Sequence, residues 1–374
     1  MILSEAQKRQ QAEFREFVDA EVAPLADRCD REARLPPELI ARLARRGYLG
    51  ALTPAEYGGR GMDMLTFGLL NEELGRGCTS ARTLITVQNM AIRAIHRWGS
   101  DPLKESWLRP LASGRKIAAF GLTEPEHGCD AGGIETTITP SGDDLVLDGH
   151  KRWISYGQIA DVFLAFGQTE GKLCAVLVER DSPGLSIVPM PGILGDRAGM
   201  LAELRFEGCA VPAANLVGGV GFGLSAVGFT ALGIGRYSIA WGCVGMAQAC
   251  LDASLRYTRS RKQFGERLRE HQLIKSMIAD MAVEITAARA LCYQAGVQGE
   301  ADDREAFELM LMAKYFASNV AVRVSGNAVQ IHGANGYTRD YPVERFFRDA
   351  KITQMIEGSN EMLQLMISRY AYRG

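Results

Sequence analysis

One carboxylate, Glu357, stands in the run ITQMIEGSN between Met355-Ile356 and Gly358-Ser359-Asn360. Met362, Leu363, Leu365, Met366 and Ile367 follow with helical spacing, and Ser359 or Asn360 can cap that helix. An acid in this place has two readings. It can be a loop carboxylate using the positive end of the helix, or a proton acceptor whose apolar neighbours raise its pKa. A second candidate is FGLTEPEHGCDAGG, Phe120 to Gly133. Thr123 offers a hydroxyl, and the stretch from Gly128 to Gly133 can turn backbone N–H groups toward an anion or a heteroaromatic ring. Its plain reading is a polar loop between a helix and the first strand. Third, HKRWISYG places Trp153 and Ser155 two residues apart on an expected strand, and so on one face. An indole beside a hydroxyl suits packing on a planar cofactor, and it equally suits ordinary sheet core.

Other chemistries find little support. GFGLSA, Gly221 to Ala226, has the letters of a dinucleotide fingerprint, but the segment before it is short and Pro-interrupted. Trp241 stands near the place of the required acid, so the match is fortuitous. No G-x-S-x-G elbow is present, and His96, His127, His150, His271 and His332 lack metal-ligand spacing. A net charge of -2 excludes the basic footprint of a nucleic-acid binder. The eight cysteines contain no C-x-x-C pair, which predicts reduced, mostly buried thiols and a cytoplasmic protein. The N-terminus turns charged at once and lacks the apolar core of a signal peptide. Leu216 to Gly235 carries no charge, yet its seven glycines favour a loop feeding a buried helix over a membrane span.

These candidates must be positioned by three successive regions. Residues 1–115 read as helical, with EAQKRQQAEFREFVDAEVAPLADRCD amphipathic and PPELIARLARRGYLG running from prolines to Gly50. Residues 116–218 contain short apolar runs bounded by Gly, Asp and Ser, such as ADVFLAFGQ and KLCAVLVER, which predict strands. Residues 219–374 return to long helical periodicity, as in HQLIKSMIADMAVEITAARALCYQAG. Helices, then strands, then helices predict an α+β fold rather than an alternating parallel sheet.

In order, GLTEPEHGCD, LDGHKRWISYG, YTRSRKQFGERLREHQ, AVQIHGANGYTRDYPVERFFRDAKI and IEGSNE resemble the motifs of the acyl-CoA dehydrogenase family over essentially the whole chain. The resemblance implies an N-terminal helical domain, a middle β domain and a C-terminal four-helix bundle. It also implies FAD held without covalent attachment at a subunit interface of a homodimer or homotetramer. By position, Leu122 and Thr123 resemble flavin-ring contacts, and Trp153 and Ser155 the residues that pack on the flavin and bond near N5. Cys129 stands where the family usually has a serine on the FAD pyrophosphate, and His127 where it usually has alanine. Backbone donors are left to serve there. Arg261 and Phe264 resemble contacts from the neighbouring subunit to the ADP half, and Gln330, Gly333 and Ala334 the loop that holds the adenosine end. Ser359 and Glu361 resemble flavin-side contacts. Glu357 aligns with the catalytic base, whose backbone N–H and a ribityl hydroxyl would bind the thioester carbonyl while the flavin takes hydride from the β carbon.

GRYSIAWGCVGMAQAC and IEGSNEM resemble the branch that works on acyl-carrier-protein substrates in polyketide extender-unit synthesis. That likeness implies a short polar acyl group on an acyl carrier protein, with an electron-acceptor protein or oxygen taking the electrons. The alternative is an ordinary short-chain acyl-CoA dehydrogenase. Gln88 and Asn89 in VQNMAIRAIHRWG either face such an acyl group or lie on the surface. A flavin-dependent oxygenase on the same fold often lacks the glutamate, so Glu357 counts against it.

Overall fold

The structure, a computed structural model, describes residues 2–299 and 304–372. Ser4 opens α1 (Glu5–Phe17) through a reciprocal capping box with Gln7. The amphipathic pattern does not continue as one helix. Pro24 lacks an N–H, and the chain passes through a wide turn at Val18–Val22 and a tight one at Ala23–Leu25 before α2 (Ala26–Glu32). α3 (Pro37–Arg45) also ends earlier than Gly50, because Gly47 takes a left-handed φ of 70°. α4 (Met64–Gly77), α5 (Thr79–Trp98) and α6 (Asp101–Ala112) complete the first region. α4 and α5 are buried on nearly every face, because other layers cover them on both sides.

The sheet contains β1 (Ala118–Gly121), β2 (Thr137–Ser141), β3 (Asp144–Ile154), β4 (Val162–Thr169), β5 (Lys172–Glu179), β6 (Leu185–Pro189), β7 (Ala202–Pro212) and β8 (Leu216–Val217). Its order is β6-β7-β3-β2-β4-β5-β8, with β1 parallel to β4. β3 and β7 pair antiparallel with register shifts at Leu147/Gly149 and Lys151/Ile154. The second shift bears on the site. Trp153 has φ 65°, and Ser155 lies in the turn beyond the strand. The strand-face rule used for Trp153 and Ser155 therefore does not apply, since a bulge breaks the alternation.

α7 (Phe229–Ser260) is the central helix, packed against α4, α5 and α9. The uncharged stretch before it is not all helix. It holds β8, a glycine loop and a wide helical turn at Gly223–Gly228. A hairpin of β9 (Lys262–Gln263) and β10 (Glu266–Arg267) follows, then α8 (Gln272–Gln298), α9 (Arg304–His332), α10 (Val343–Ile352) and α11 (Asn360–Ala371). The molecule is thus α+β, with helical regions on either side of a sheet domain in sequence. Among the described residues no helix is long and apolar enough to cross a membrane. All eight cysteines are free, and only Cys129 is exposed.

Candidate active site

Glu357 lies in the turn between α10 and α11, and with Gly358 it forms two successive left-handed residues, φ 57° and 90°. That conformation costs a non-glycine residue about 1–3 kcal/mol, so the surroundings must impose it. They do. Arg236 Nε on α7 donates to the Glu357 carbonyl at 2.9 Å. Lys314 Nζ on α9 donates to the Gly358 carbonyl at 2.8 Å and to Asn360 Oδ1 at 3.1 Å. Ser359 caps α11, its hydroxyl accepting from the Met362 N–H at 3.3 Å. The cap is therefore a neighbour of Glu357, whose own carboxylate turns inward.

Oε2 of Glu357 is fully buried and has no hydrogen-bond partner among the described residues. It lies against Gly235 of α7, where an added Cβ would sit 2.7 Å from both Cδ and Oε2 and 2.9 Å from Met90 Sδ. Burial pushes the carboxyl pKa up to about 7, against the opposing pull of Arg236, Lys314 and Arg82. The opposing charges are thus side chains, where the sequence had suggested the helix end. Burial also lowers Arg236 to about 10 and Lys314 to about 8, which leaves both cationic at neutral pH. No described acceptor takes the N–H of Glu357. A proton acceptor poised near neutrality stands beside a free backbone donor, an arrangement suited to removing a proton next to a carbonyl.

Leu122 is buried and Thr123 half-buried in the loop after β1. The Arg152 N–H donates to the Thr123 carbonyl at 2.8 Å, which ties this loop to the end of β3 bearing Trp153. Beneath it Lys151 Nζ bonds Glu124 Oε1 at 2.6 Å and the Leu122 carbonyl at 3.2 Å. Glu124 also accepts from the N–H groups of Glu135 and Thr136 at 2.6 and 3.0 Å. These bonds hold its pKa below the ordinary value despite burial. This fully bonded ion pair fixes the loop against the strand. Trp153 is left 50% exposed and Ser155 half-buried, with Cys129 on the surface nearby in sequence.

A second group gathers at the far end of α7. Arg261 and Phe264 are exposed on the β9–β10 hairpin, Phe264 at 96% with φ 52°. Gln330, Gly333 and Ala334 are exposed at the end of α9. His332 stacks on Tyr257 of α7 with ring centroids 4.3 Å apart, and Asn335 bonds the Tyr257 hydroxyl at 2.9 Å, so the two segments share one end of the bundle. Ser359 and the exposed Glu361 accompany Glu357. Among the described residues no hydrogen bond joins these three groups. An uncovered indole, and an uncovered phenyl ring beside an arginine, fit a long cofactor with a flat head and an anionic middle.

The chain matches the acyl-CoA dehydrogenase N-terminal domain over residues 4–115, the middle domain over 119–209 and the C-terminal domain over 221–372. The chain belongs to the acyl-CoA dehydrogenase family. It is accordingly an FAD-dependent oxidoreductase that acts on the CH–CH bond of an acyl thioester. The probable acyl-CoA dehydrogenase YngJ of Bacillus subtilis is 37% identical, with 98% of each chain covered. The mitochondrial short-chain specific acyl-CoA dehydrogenase of Rattus norvegicus is 36% identical over 96% of this chain and 88% of the relative. Among solved structures, butyryl-CoA dehydrogenase from Megasphaera elsdenii superposes with TM-score 0.95 at 33% identity, covering 100% of this chain and 99% of that one. FkbI, described for biosynthesis of a methoxymalonyl extender unit, gives TM-score 0.89 at 33% identity, covering 98% and 99%.

Sequence reasoning missed Arg236, Lys314 and Gly235, which shape the Glu357 turn. The available signal was a lone charge in an apolar helical run, as in GIGRYSIAW and LMLMAKYFAS. Gln88 and Asn89 are corrected too. Both are fully buried and bond backbone, Gln88 to the carbonyls of Leu111 and Lys116 and the N–H of Ala118, Asn89 to the N–H of Leu52 and the carbonyl of Ile85. They brace helix ends and are not free to face an acyl group.

Proposed function

We propose that Glu357 is the base that takes the proton from the α carbon of a short polar acyl thioester carried on an acyl carrier protein. The observation that carries the base assignment is the buried, unpartnered Oε2 with its pKa near 7. The backbone N–H of Glu357 would hold the thioester carbonyl and stabilise the developing enolate. Bound FAD supplies the hydride acceptor for the β carbon. Leu122, Thr123, Trp153, Ser155, Ser359 and Glu361 would hold its flavin end, with backbone near Cys129 toward the pyrophosphate. Arg261, Phe264, Gln330, Gly333 and Ala334 would reach the ADP half of the FAD in a neighbouring subunit of a homodimer or homotetramer. Their exposure in one chain supports that arrangement. The enzyme would work in the cytoplasm and pass its electrons to a protein acceptor or oxygen.

The carrier-protein reading is supported by the α7 stretch Tyr237 to Cys250 and by the likeness to FkbI. The short-chain relatives favour the second reading, oxidation of a CoA thioester. Measuring kcat/KM for one acyl group on a carrier protein, on CoA and on pantetheine separates them. A preference for the carrier form of tenfold or more, about 1.4 kcal/mol, supports the proposal. Equal values, or faster oxidation of butyryl-CoA, return the enzyme to CoA substrates.

A further inference from the structure

Lys151 is fully buried on β3, and its ammonium has two partners, Glu124 Oε1 at 2.6 Å and the Leu122 carbonyl at 3.2 Å. Fixing the loop does not by itself call for charge. A buried ion pair can often be replaced by apolar side chains of like volume with no loss of stability. Glu124 moreover has three donors besides Lys151: Thr136 Oγ1 at 2.5 Å, and the N–H groups of Glu135 and Thr136. Glycine at 149 keeps room for that hydroxyl, since an added Cβ would sit 2.4 Å from Thr136 Oγ1. The carboxylate is thus held from the side of β2, and the ammonium keeps its bond to the Leu122 carbonyl.

That carbonyl belongs to the peptide unit whose N–H is on Thr123. The unit is trans, and in a planar trans peptide the N–H points opposite to the C=O. The Thr123 N–H therefore points away from Lys151. Among the described residues nothing accepts it or the Thr123 hydroxyl, whereas the Thr123 carbonyl is taken by the Arg152 N–H. Thr123 is half-buried, and the strand end that binds its carbonyl runs on into the uncovered Trp153. A cation on the carbonyl end of a peptide strengthens the donor at its other end, because linked hydrogen bonds polarise one another. Buried positive charge on one side is thus joined to a free donor on the other.

We infer that Lys151 is a positioning residue that acts through the Leu122–Thr123 peptide to raise the reduction potential of the bound flavin. Accepting hydride adds negative charge to the flavin ring. A donor strengthened by a buried cation stabilises that charge more than it stabilises the neutral oxidised ring. This deepens the proposed function and rests on Thr123 lying at the flavin end.

The test reads the two-electron midpoint potential of FAD in the loaded enzyme, by equilibration with a reference dye at pH 7. Lys151→Met with Glu124→Gln removes both charges. Lys151→Gln with Glu124→Gln replaces them by two amides that can still bond each other. Each double variant should favour oxidised FAD at least tenfold over wild type, a fall of about 30 mV in potential. A pair that only braces the loop would alter melting and FAD retention and leave the potential unmoved. A folded, FAD-containing double variant with the wild-type potential therefore overturns the inference. Where neither variant holds FAD, the wild type decides: its potential should exceed that of free FAD by about 30 mV or more, and a smaller difference overturns the inference. The reading beneath it fails separately. If Thr123→Ala and Trp153→Ala both leave the visible spectrum and the retention of FAD unchanged, the flavin does not lie at this loop.

Discussion

Replacing Glu357 by Gln should leave an FAD-containing enzyme with severely reduced turnover that gains stability relative to the wild type as pH rises. The carboxyl pKa is about 7 in the folded chain and 4.5 as an ordinary value. Between those values the folded state binds the proton that the unfolded state releases, so wild-type stability falls as pH rises through this window. At 1.36 kcal/mol per pKa unit the full loss is about 3 kcal/mol, reached above pH 7. Glutamine has the same shape and does not titrate, so the variant lacks this loss. Any constant cost of a buried amide cancels when two pH values are compared. Melting of the apoprotein of both forms near pH 4.5 and pH 8.5 should show the variant gaining several degrees relative to wild type at the higher pH. Turnover should drop by about 10²–10⁴, the usual worth of a positioned base. Wild-type kcat/KM should rise with pH through the same region, since the ionised form is the base. A stability difference that does not change with pH would show that Glu357 is not held out of water. Normal bleaching of the flavin by substrate in the variant would refute its role as base.

Gly235→Ala puts a methyl 2.7 Å from the Glu357 carboxyl and 2.9 Å from Met90 Sδ. It should cut kcat by tenfold or more, about 1.4 kcal/mol, with FAD content unchanged, and full activity would show that the carboxyl has room to move. Arg261→Ala removes a proposed charge-assisted contact and should weaken FAD retention by about tenfold in equilibrium dialysis; unchanged retention would discard that contact. Lys151→Met strands Glu124 in the interior and should destabilise by about 3–5 kcal/mol, whereas adding Glu124→Gln should recover much of it. Similar melting of the two variants would show that the pair bears no load.

The three-region order was legible because each region repeats its period many times. The long helices α8 and α9 and the runs of β4 and β5 carry that signal over many residues. The cap at Ser359 was legible for a local reason, since it needs only a hydroxyl and the N–H three residues on. What failed was inference carried across an irregularity. Trp153 and Ser155 share a face only in a regular strand, and a one-residue register shift removes that condition. Gln88 and Asn89 failed for a different reason. An amide in an amphipathic helix cannot reveal whether it meets water, a ligand or the chain's own backbone, and here loop carbonyls and N–H groups far along the sequence claim it.

The same limit explains why the neighbours of Glu357 were invisible although Glu357 itself was not. The carboxylate sits in a short motif, whereas Arg236, Lys314 and Arg82 come from three different helices and meet only when those helices pack. Their division of labour is set by where their donors point. Two donors aimed at backbone carbonyls impose a left-handed turn that an isolated glutamate would avoid, and that turn drives the carboxylate inward. Once inside, the carboxylate loses water and gains only distant cations, so its pKa settles near neutrality rather than at either extreme. Moving either cation into direct contact with Oε2 would lower that pKa and weaken the base; removing both would free the turn. The poise of Glu357 therefore depends on cations close enough to hold its backbone and too far to bond its carboxylate.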